Sequence, residues 1–305
     1  MDVNLRALRY FLSAAETGTI SEAARKLHIS QPSVSSAIQH LEEVYGIQLF
    51  IRIPTKGIEL TSEGLSFLSH ARLLLSQAEQ FRHDVGSLSN ELEGEITVGS
   101  FVNLTSAIVA ELLGAFHSRY PGIQVNLRDM DQHEILGGLA TGQIEMAITF
   151  DLALQGGFSS AVVATLPPRA VLPVEDPLSA DDAVSIHDLA TRPFVLMDLP
   201  HTRDYFHSHF SNNRIAPRIE FRCRTFEAVR AFVASGLGVS LLNIRPATEQ
   251  TYSGRLVVMK PIIEPLRPLR IVLLRSKRLR MRPPLTLFAD FATNLIPALA
   301  DPLKA

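Results

Sequence analysis

Two sets of side chains in this 305-residue chain have types and spacings that could do chemistry together. The first lies in Ser30–Glu43, SQPSVSSAIQHLEE. At ~100° per residue, a stripe of Val34, Ile38, Leu41 and Tyr45 puts Pro32, Ser36, Gln39 and Glu43 on the opposite face. Ser33, Ser35 and His40 fall on the flanks. Small serine and proline side chains permit close approach, and Gln31 and Gln39 can donate and accept. That is the chemistry needed to read base edges in a major groove. An ordinary solvated helix face fits the same pattern. The second set sits where strands give way to helices: Ser100 and Phe101, Thr149 and Phe150, His201, Thr202 and Arg203, Thr225 and Phe226. Hydroxyls and unpaired backbone N–H groups at helix starts suit a carboxylate. The phenylalanines offer faces to an apolar or aromatic body. Taken singly, each of these residues reads equally well as a cap or a core side chain.

The first set needs a short helix, a turn and a second helix to present it. Leu5, Leu8, Phe11, Leu12 and Ala15 predict one helix ending at Gly18. Thr19-x-x-Glu22 is a capping box that starts the next, through Leu27. Ser30 caps the third, with Pro32 tolerated in its first turn, and Gly46 ends it. Ile47–Leu60 reads as a two-stranded wing around Pro-Thr-Lys-Gly. From Thr61 to about Ser89 the sequence predicts a long helix. Its seam of Leu68, Ala71, Leu75, Ala78, Phe81, Val85 and Leu88 is close to a heptad, which a partner copy would cover. Beyond it, strands alternate with helices to the C-terminal helix at about 285–298. The expected architecture there is α/β, doubly wound, with a mainly parallel sheet.

Composition excludes several alternatives. Apolar residues make up 46% and charged residues 20% of the chain, which describes a folded protein. The formal net charge of -2 advertises no global affinity for nucleic acid, and residues 1–60 hold six basic and six acidic residues. DNA binding would then rest on placement, helix N-termini and doubling by a dimer. A lone cysteine, Cys223, rules out an intrachain disulfide and reads as a small buried hydrophobe. His207-x-His209 points its rings apart on a helix, and Asp176, Asp181, Asp182 and Asp188 read as a solvated loop and a cap, so no metal is expected. The basic run from Arg267 to Arg282 reads as a solvated strand edge. No G-x-S-x-G, H-E-x-x-H or P-loop occurs, and no cofactor is implied. The charged N-terminus is unlike a signal peptide and no apolar run reaches membrane length, so the cytoplasm is the expected location.

The ordered series Ala-Ala-x-x-Leu (from Ala23), Ser-Gln-Pro-x-x-Ser (from Ser30), Leu-Glu-x-x-x-Gly (from Leu41), Leu-Phe-x-Arg (from Leu49) and Leu-Thr-x-x-Gly (from Leu60) resembles the LysR-type transcriptional regulators. The resemblance runs through the rest of the chain. It implies a non-enzymatic regulator with a winged helix-turn-helix at 1–60, a dimerising linker helix at 61–90 and an effector domain at 91–305. That domain would have two lobes similar to periplasmic solute-binding proteins, one of about 91–160 with 267–305 and one of about 161–266. Carried over position by position, Gln31, Pro32, Ser33 and Ser35 would face bases, with Ser36 and Gln39 along the same face and Arg52 and Lys56 near phosphates. Many relatives carry arginine where this chain has Ser36, so the commonest bidentate guanine contact is missing there. The second set would line an effector cleft for a small carboxylic acid. Implied partners are a partly palindromic double-stranded DNA, a second copy in a dimer or tetramer, and RNA polymerase. A solute-binding or enzyme-like α/β protein with an appended interaction domain is the alternative.

Overall fold

The computed structural model describes residues 4–53, 57–86, 93–154 and 156–304. The chain forms two compact units, one of Met1–Glu91 with Ala140–Gln143 and one of Leu92–Leu139 with Ile144–Ala305.

In the first unit α1 (Leu5–Thr17) starts at Asn4, whose side chain accepts from the N–H groups of Arg6 and Ala7, and stops at Gly18, φ +71°. Thr19 caps α2 (Ile20–Lys26) by accepting from the Glu22 N–H at 3.1 Å. The predicted capping box is half made, because the Glu22 carboxylate turns to Arg25 instead. The third helix, α3 (Gln31–Tyr45), begins at Ser30 and ends at Gly46, φ +65°, where a left-handed residue is needed. Val34, Ile38 and Leu41 are buried under it, against Phe11, Ala14 and Ala23. The small alanines let the three helices approach closely.

The wing is the hairpin of β1 (Phe50–Ile53) and β2 (Gly57–Leu60), paired from Phe50↔Leu60 to Ile53↔Gly57. Glu42 of α3 ties it down, accepting from the N–H groups of Leu49 at 2.7 Å and Phe50 at 3.3 Å. Gly57, φ +103°, lies so close to the end of α1 that a Cβ would stand 2.3 Å from the Gly18 carbonyl oxygen. Thr61 then caps α4 (Ser62–Gly86) through the Gly64 N–H at 2.8 Å. The seam of α4 differs from expectation. Leu68, Ala71 and Leu75 are buried in this unit's own core, so the first half of the seam is already covered. Leu65 and Phe81, by contrast, are 58% and 71% exposed. Leu88 and the side chain of Val85 lie outside the described residues.

The strands of the second unit fall into two lobes. In the first lobe β3 (Gly94–Phe101) leads through a short helix α5 (Val102–Leu104), a π-turn (Thr105–Val109) and α6 (Ala110–Arg119) to β4 (Ile123–Met130). The helical stretch from Val102 to Arg119 thus carries a π segment within it. Next come α7 (Gln132–Thr141), β5 (Met146–Phe150) and β6 (Phe158–Leu166). The second lobe holds β7 (Arg169–Pro173), a 3-10 turn, α8 (Ile186–Ala190), β8 (Pro193–Met197), α9 (Thr202–Asn212) and β9 (Arg218–Cys223). It continues with α10 (Phe226–Ala234), β10 (Ser240–Leu242) and β11 (Val257–Pro261). The chain then returns as β12 (Leu269–Ser276) and α11 (Pro283–Lys304).

Strand order in the first sheet is β4-β3-β5-β12-β6, with β3 parallel to β4 and β5, and β12 antiparallel to β5 and β6. The second lobe pairs β8 parallel to β9 and sets β7 antiparallel between β10 and β11, the two parts joined at Phe194↔Val239. In each lobe four strands share one direction and a single strand, β12 or β7, runs against them, so the arrangement is mainly parallel with one antiparallel member. The β-α-β alternation holds only for the strands linked by helices, while β6, β7, β11 and β12 are reached by helix-free connections. Leu166 still pairs with Leu269 in the first sheet, so the chain crosses at Pro167-Pro168 and not near residue 160. The basic run is no uniform solvated edge either. Arg282 is buried and donates to both oxygens of Glu145, at 2.8 and 2.7 Å, and to the Glu95 carbonyl at 2.7 Å. This clamps the start of α11 to β3 and β5. Among the described residues no helix is long and apolar enough to cross a membrane.

Candidate functional site

On α3 Gln31, Pro32, Ser33, Ser36 and Gln39 are exposed, while Ser35 is half-buried on the flank. Arg52 is exposed on the wing, and Lys56 lies outside the described residues. The Gln31 carbonyl oxygen accepts from the Ser21 hydroxyl at 3.1 Å, which leaves its amide N–H groups to point outward as donors. Gln39 donates to Glu43 at 3.0 Å, which leaves its oxygen as an acceptor. Arg25 and Lys26 of α2 are paired with Glu22 and Glu16, the latter at 2.8 Å, so part of the local positive charge is compensated.

The second set divides. Phe101, Phe150, Thr202 and Phe226 meet between the lobes, together with Asn103, Met197, Phe206, Leu242, Asn243, Ile244 and Leu269. Phe101 and Phe150 pack edge to face with ring centroids 5.2 Å apart. The space they enclose is about 20 Å³, roughly the room of one water. Ser100, Thr149, His201, Arg203 and Thr225 do not line it. Ser100 is buried beside Thr105, hydroxyl to hydroxyl at 2.8 Å, and Thr105 donates to Asp129 at 2.6 Å. Thr149 donates to the buried Gln132 side chain, whose amide donates to the carbonyls of Phe150 and Leu152. Thr225 is exposed and caps α10 through the Ala228 N–H at 3.2 Å. Arg203 leans away to Asp198, at 3.3 Å. His201 holds a left-handed φ of +62° before α9 and brings its ring to 6.3 Å from that of His133, at the start of α7 in the other lobe.

Of the hydroxyls expected to bind a ligand, only Thr202 therefore faces the cleft. It is 3% exposed and its oxygen has no hydrogen-bond partner. The cleft residues that the sequence did not reveal, Asn103, Met197, Phe206 and Asn243 among them, lie on elements whose strand or helix pattern is unremarkable. Only the polarity of Asn243, directly after the apolar β10, sets it apart.

A polar network ties the cleft to the crossing strands. The Asn243 amide donates to the Leu166 carbonyl at 3.0 Å and to the Tyr205 hydroxyl at 2.9 Å, and Tyr205 donates to the Arg267 carbonyl at 2.8 Å. Arg267 and Arg270 in turn donate to the Asp151 carboxylate at 3.0 and 2.7 Å. Burial pushes the Asp151 pKa up, but the hydrogen bonds from Arg270 and Arg267 outweigh it and hold the carboxyl below its usual range. His209 packs edge-on against Tyr205, 4.4 Å between centroids, and is 2% exposed. Burial, aided by the charge of Arg267, lowers its pKa to about 4. His209 is thus a neutral core ring, and among the described residues no group of three His, Cys, Asp or Glu is placed to hold a metal.

Comparison with known proteins places this geometry in a family. The model described as "LysR substrate binding domain" matches residues 89–296, and "Bacterial regulatory helix-turn-helix protein, lysR family" matches residues 5–65. The "Uncharacterized HTH-type transcriptional regulator YnfL" of Escherichia coli (strain K12) is 31% identical over 248 residues, which is 79% of this chain and 82% of that protein. The crystal structure of HinK, a LysR family transcriptional regulator from Pseudomonas aeruginosa, aligns with a TM-score of 0.67 at 33% identity, over 98% of this chain and 100% of that one. Full-length CbnR, solved in complex with its target DNA, aligns with a TM-score of 0.56 at 25% identity, over 96% of this chain and 99% of that one.

Proposed function

The chain belongs to the LysR family of DNA-binding transcriptional regulators, and from that premise we propose that α3 reads a partly palindromic operator and that a small organic acid between the lobes sets the activity. The observation that carries the DNA half is the exposed row of Gln31, Pro32, Ser33, Ser36 and Gln39 over the buried Val34, Ile38 and Leu41. Small side chains at the start of a helix let it enter the major groove, and Arg52 on the wing suits a phosphate. CbnR with its target DNA is the precedent among the compared structures. Two-fold pairing of the protein matches two half-sites. Footprinting of the full chain on the DNA around its own gene tests this. Protection of two half-sites, lost in Gln39→Ala with Ser36→Asp, supports the reading, and no protected region at moderate salt overturns it.

For the ligand, Phe101, Phe150, Phe206 and Phe226 favour an apolar or aromatic body. An acid group suits the start of α9, where the helix end contributes ~0.3–1 kcal/mol. Most of the affinity must then come from burying the ring. Pairing of two copies is supported by α4, whose exposed Leu65 and Phe81 remain to be covered.

A further inference from the structure

We infer that the ligand of the inter-lobe cleft presents a neutral hydrogen-bond donor, a hydroxyl on an aromatic or apolar body, to the side-chain oxygen of Asn243. The inference rests on the reading of the cleft as the effector site and adds the chemistry of the group that enters deepest. Asn243 is 4% exposed and its Oδ1 has no hydrogen-bond partner, although it lines the cleft. The orientation of this amide is determined by its neighbours. The Leu166 carbonyl can only accept, and Tyr205 already gives its proton to the Arg267 carbonyl, so both groups require the amide N–H atoms of Asn243. What remains toward the cleft is an oxygen that can only accept.

The second orphan, the Thr202 hydroxyl, lines the same space and can donate or accept. A buried polar atom without a partner costs about 1–3 kcal/mol, which a matching ligand group recovers. Among the described residues that line the cleft none is ionisable. A carboxylate pushed to this depth would set its negative oxygens against Asn243 Oδ1 with no countercharge. An ammonium would be a donor but would likewise be buried unpaired. A neutral hydroxyl fits both orphans: it donates to Asn243 and accepts from Thr202. An acid group on the same molecule then stays toward the α9 start, beside His201. Hydroxylated aromatic compounds satisfy the cleft better than their unsubstituted or methylated counterparts.

The test uses the full chain with methyl-labelled Met197 and Ile244, titrated with phenol, anisole and benzoate and followed by NMR. Crystals soaked with whichever probe binds locate its oxygen. The expected result is that phenol shifts both methyl signals saturably, about tenfold tighter than anisole, which corresponds to one hydrogen bond of the upper ordinary strength. Its hydroxyl should lie within hydrogen-bonding distance of Asn243 Oδ1, and Thr202→Val, which keeps the shape of the side chain, should weaken phenol more than anisole. Anisole or benzoate binding in the cleft as tightly as phenol overturns the donor inference and leaves the effector site standing. If none of the three perturbs Met197 or Ile244, both the inference and the cleft reading fail.

Discussion

The neutral, buried His209 makes the stability of the second unit depend on pH in a defined window. Its folded pKa is about 4, against about 6.5 for an exposed imidazole in the unfolded chain. Between these values the unfolded chain binds more protons than the folded one. The contribution is therefore fully present above pH ~6.5, is lost as pH falls, and is gone below pH ~4. At about 1.36 kcal/mol per pKa unit, the whole loss is of order 3 kcal/mol, with about 2 kcal/mol of it reached by pH 5. Carboxylates titrate in the same range, so the measurement is a difference. Urea unfolding followed by circular dichroism, which suits a chain without tryptophan, is run at pH 7 and pH 5 on the wild type and on His209→Phe. The aromatic replacement retains the edge-on contact with Tyr205. The wild type should lose about 2 kcal/mol more than the variant over this interval. Equal losses in the two proteins, or an NMR titration of the His209 ring near the ordinary imidazole value, would refute the reasoning.

Three other substitutions separate roles that the sequence merges. Phe81→Glu should shift the full chain toward monomer in sedimentation while the helical signal is retained, because Phe81 is exposed; Leu75→Glu should instead unfold the first unit, because it buries a charge in that unit's core. Arg282→Met should cost about 3–5 kcal/mol in urea unfolding by leaving Glu145 uncompensated, and the double variant with Glu145→Leu should recover most of it. A double variant no more stable than the single would show that the pair is not the reason Arg282 is buried.

Much of the first unit was legible because its signals are local. The spacing of Val34, Ile38 and Leu41 marks the buried side of α3, and Ser30, Gly18 and Gly46 are caps whose geometry follows from residue type. The seam of α4 was legible as a seam but not in its partner, since periodicity tells which residues seek cover and not what covers them. The cleft was half legible for a related reason. Strand-to-helix junctions single out Thr202 and Arg203, yet which of two adjacent side chains turns inward depends on the left-handed backbone of His201 and on the pull of Asp198 upon Arg203. Asn243 carries one faint local signal, its polarity after an apolar strand. Its role comes from Leu166, Tyr205 and Arg267, which lie far from it in sequence and reach it only after the chain has crossed between the sheets twice.

The tightness of the cleft bears on how fast any occupant can arrive. A space of about 20 Å³ does not admit an aromatic ring, so on the proposed reading the cleft has to open before such an occupant enters. The rate of capture is then bounded by the rate of opening, on the microsecond-to-millisecond scale of hinge motions. The observed dissociation constant exceeds the intrinsic one by the inverse of the open fraction.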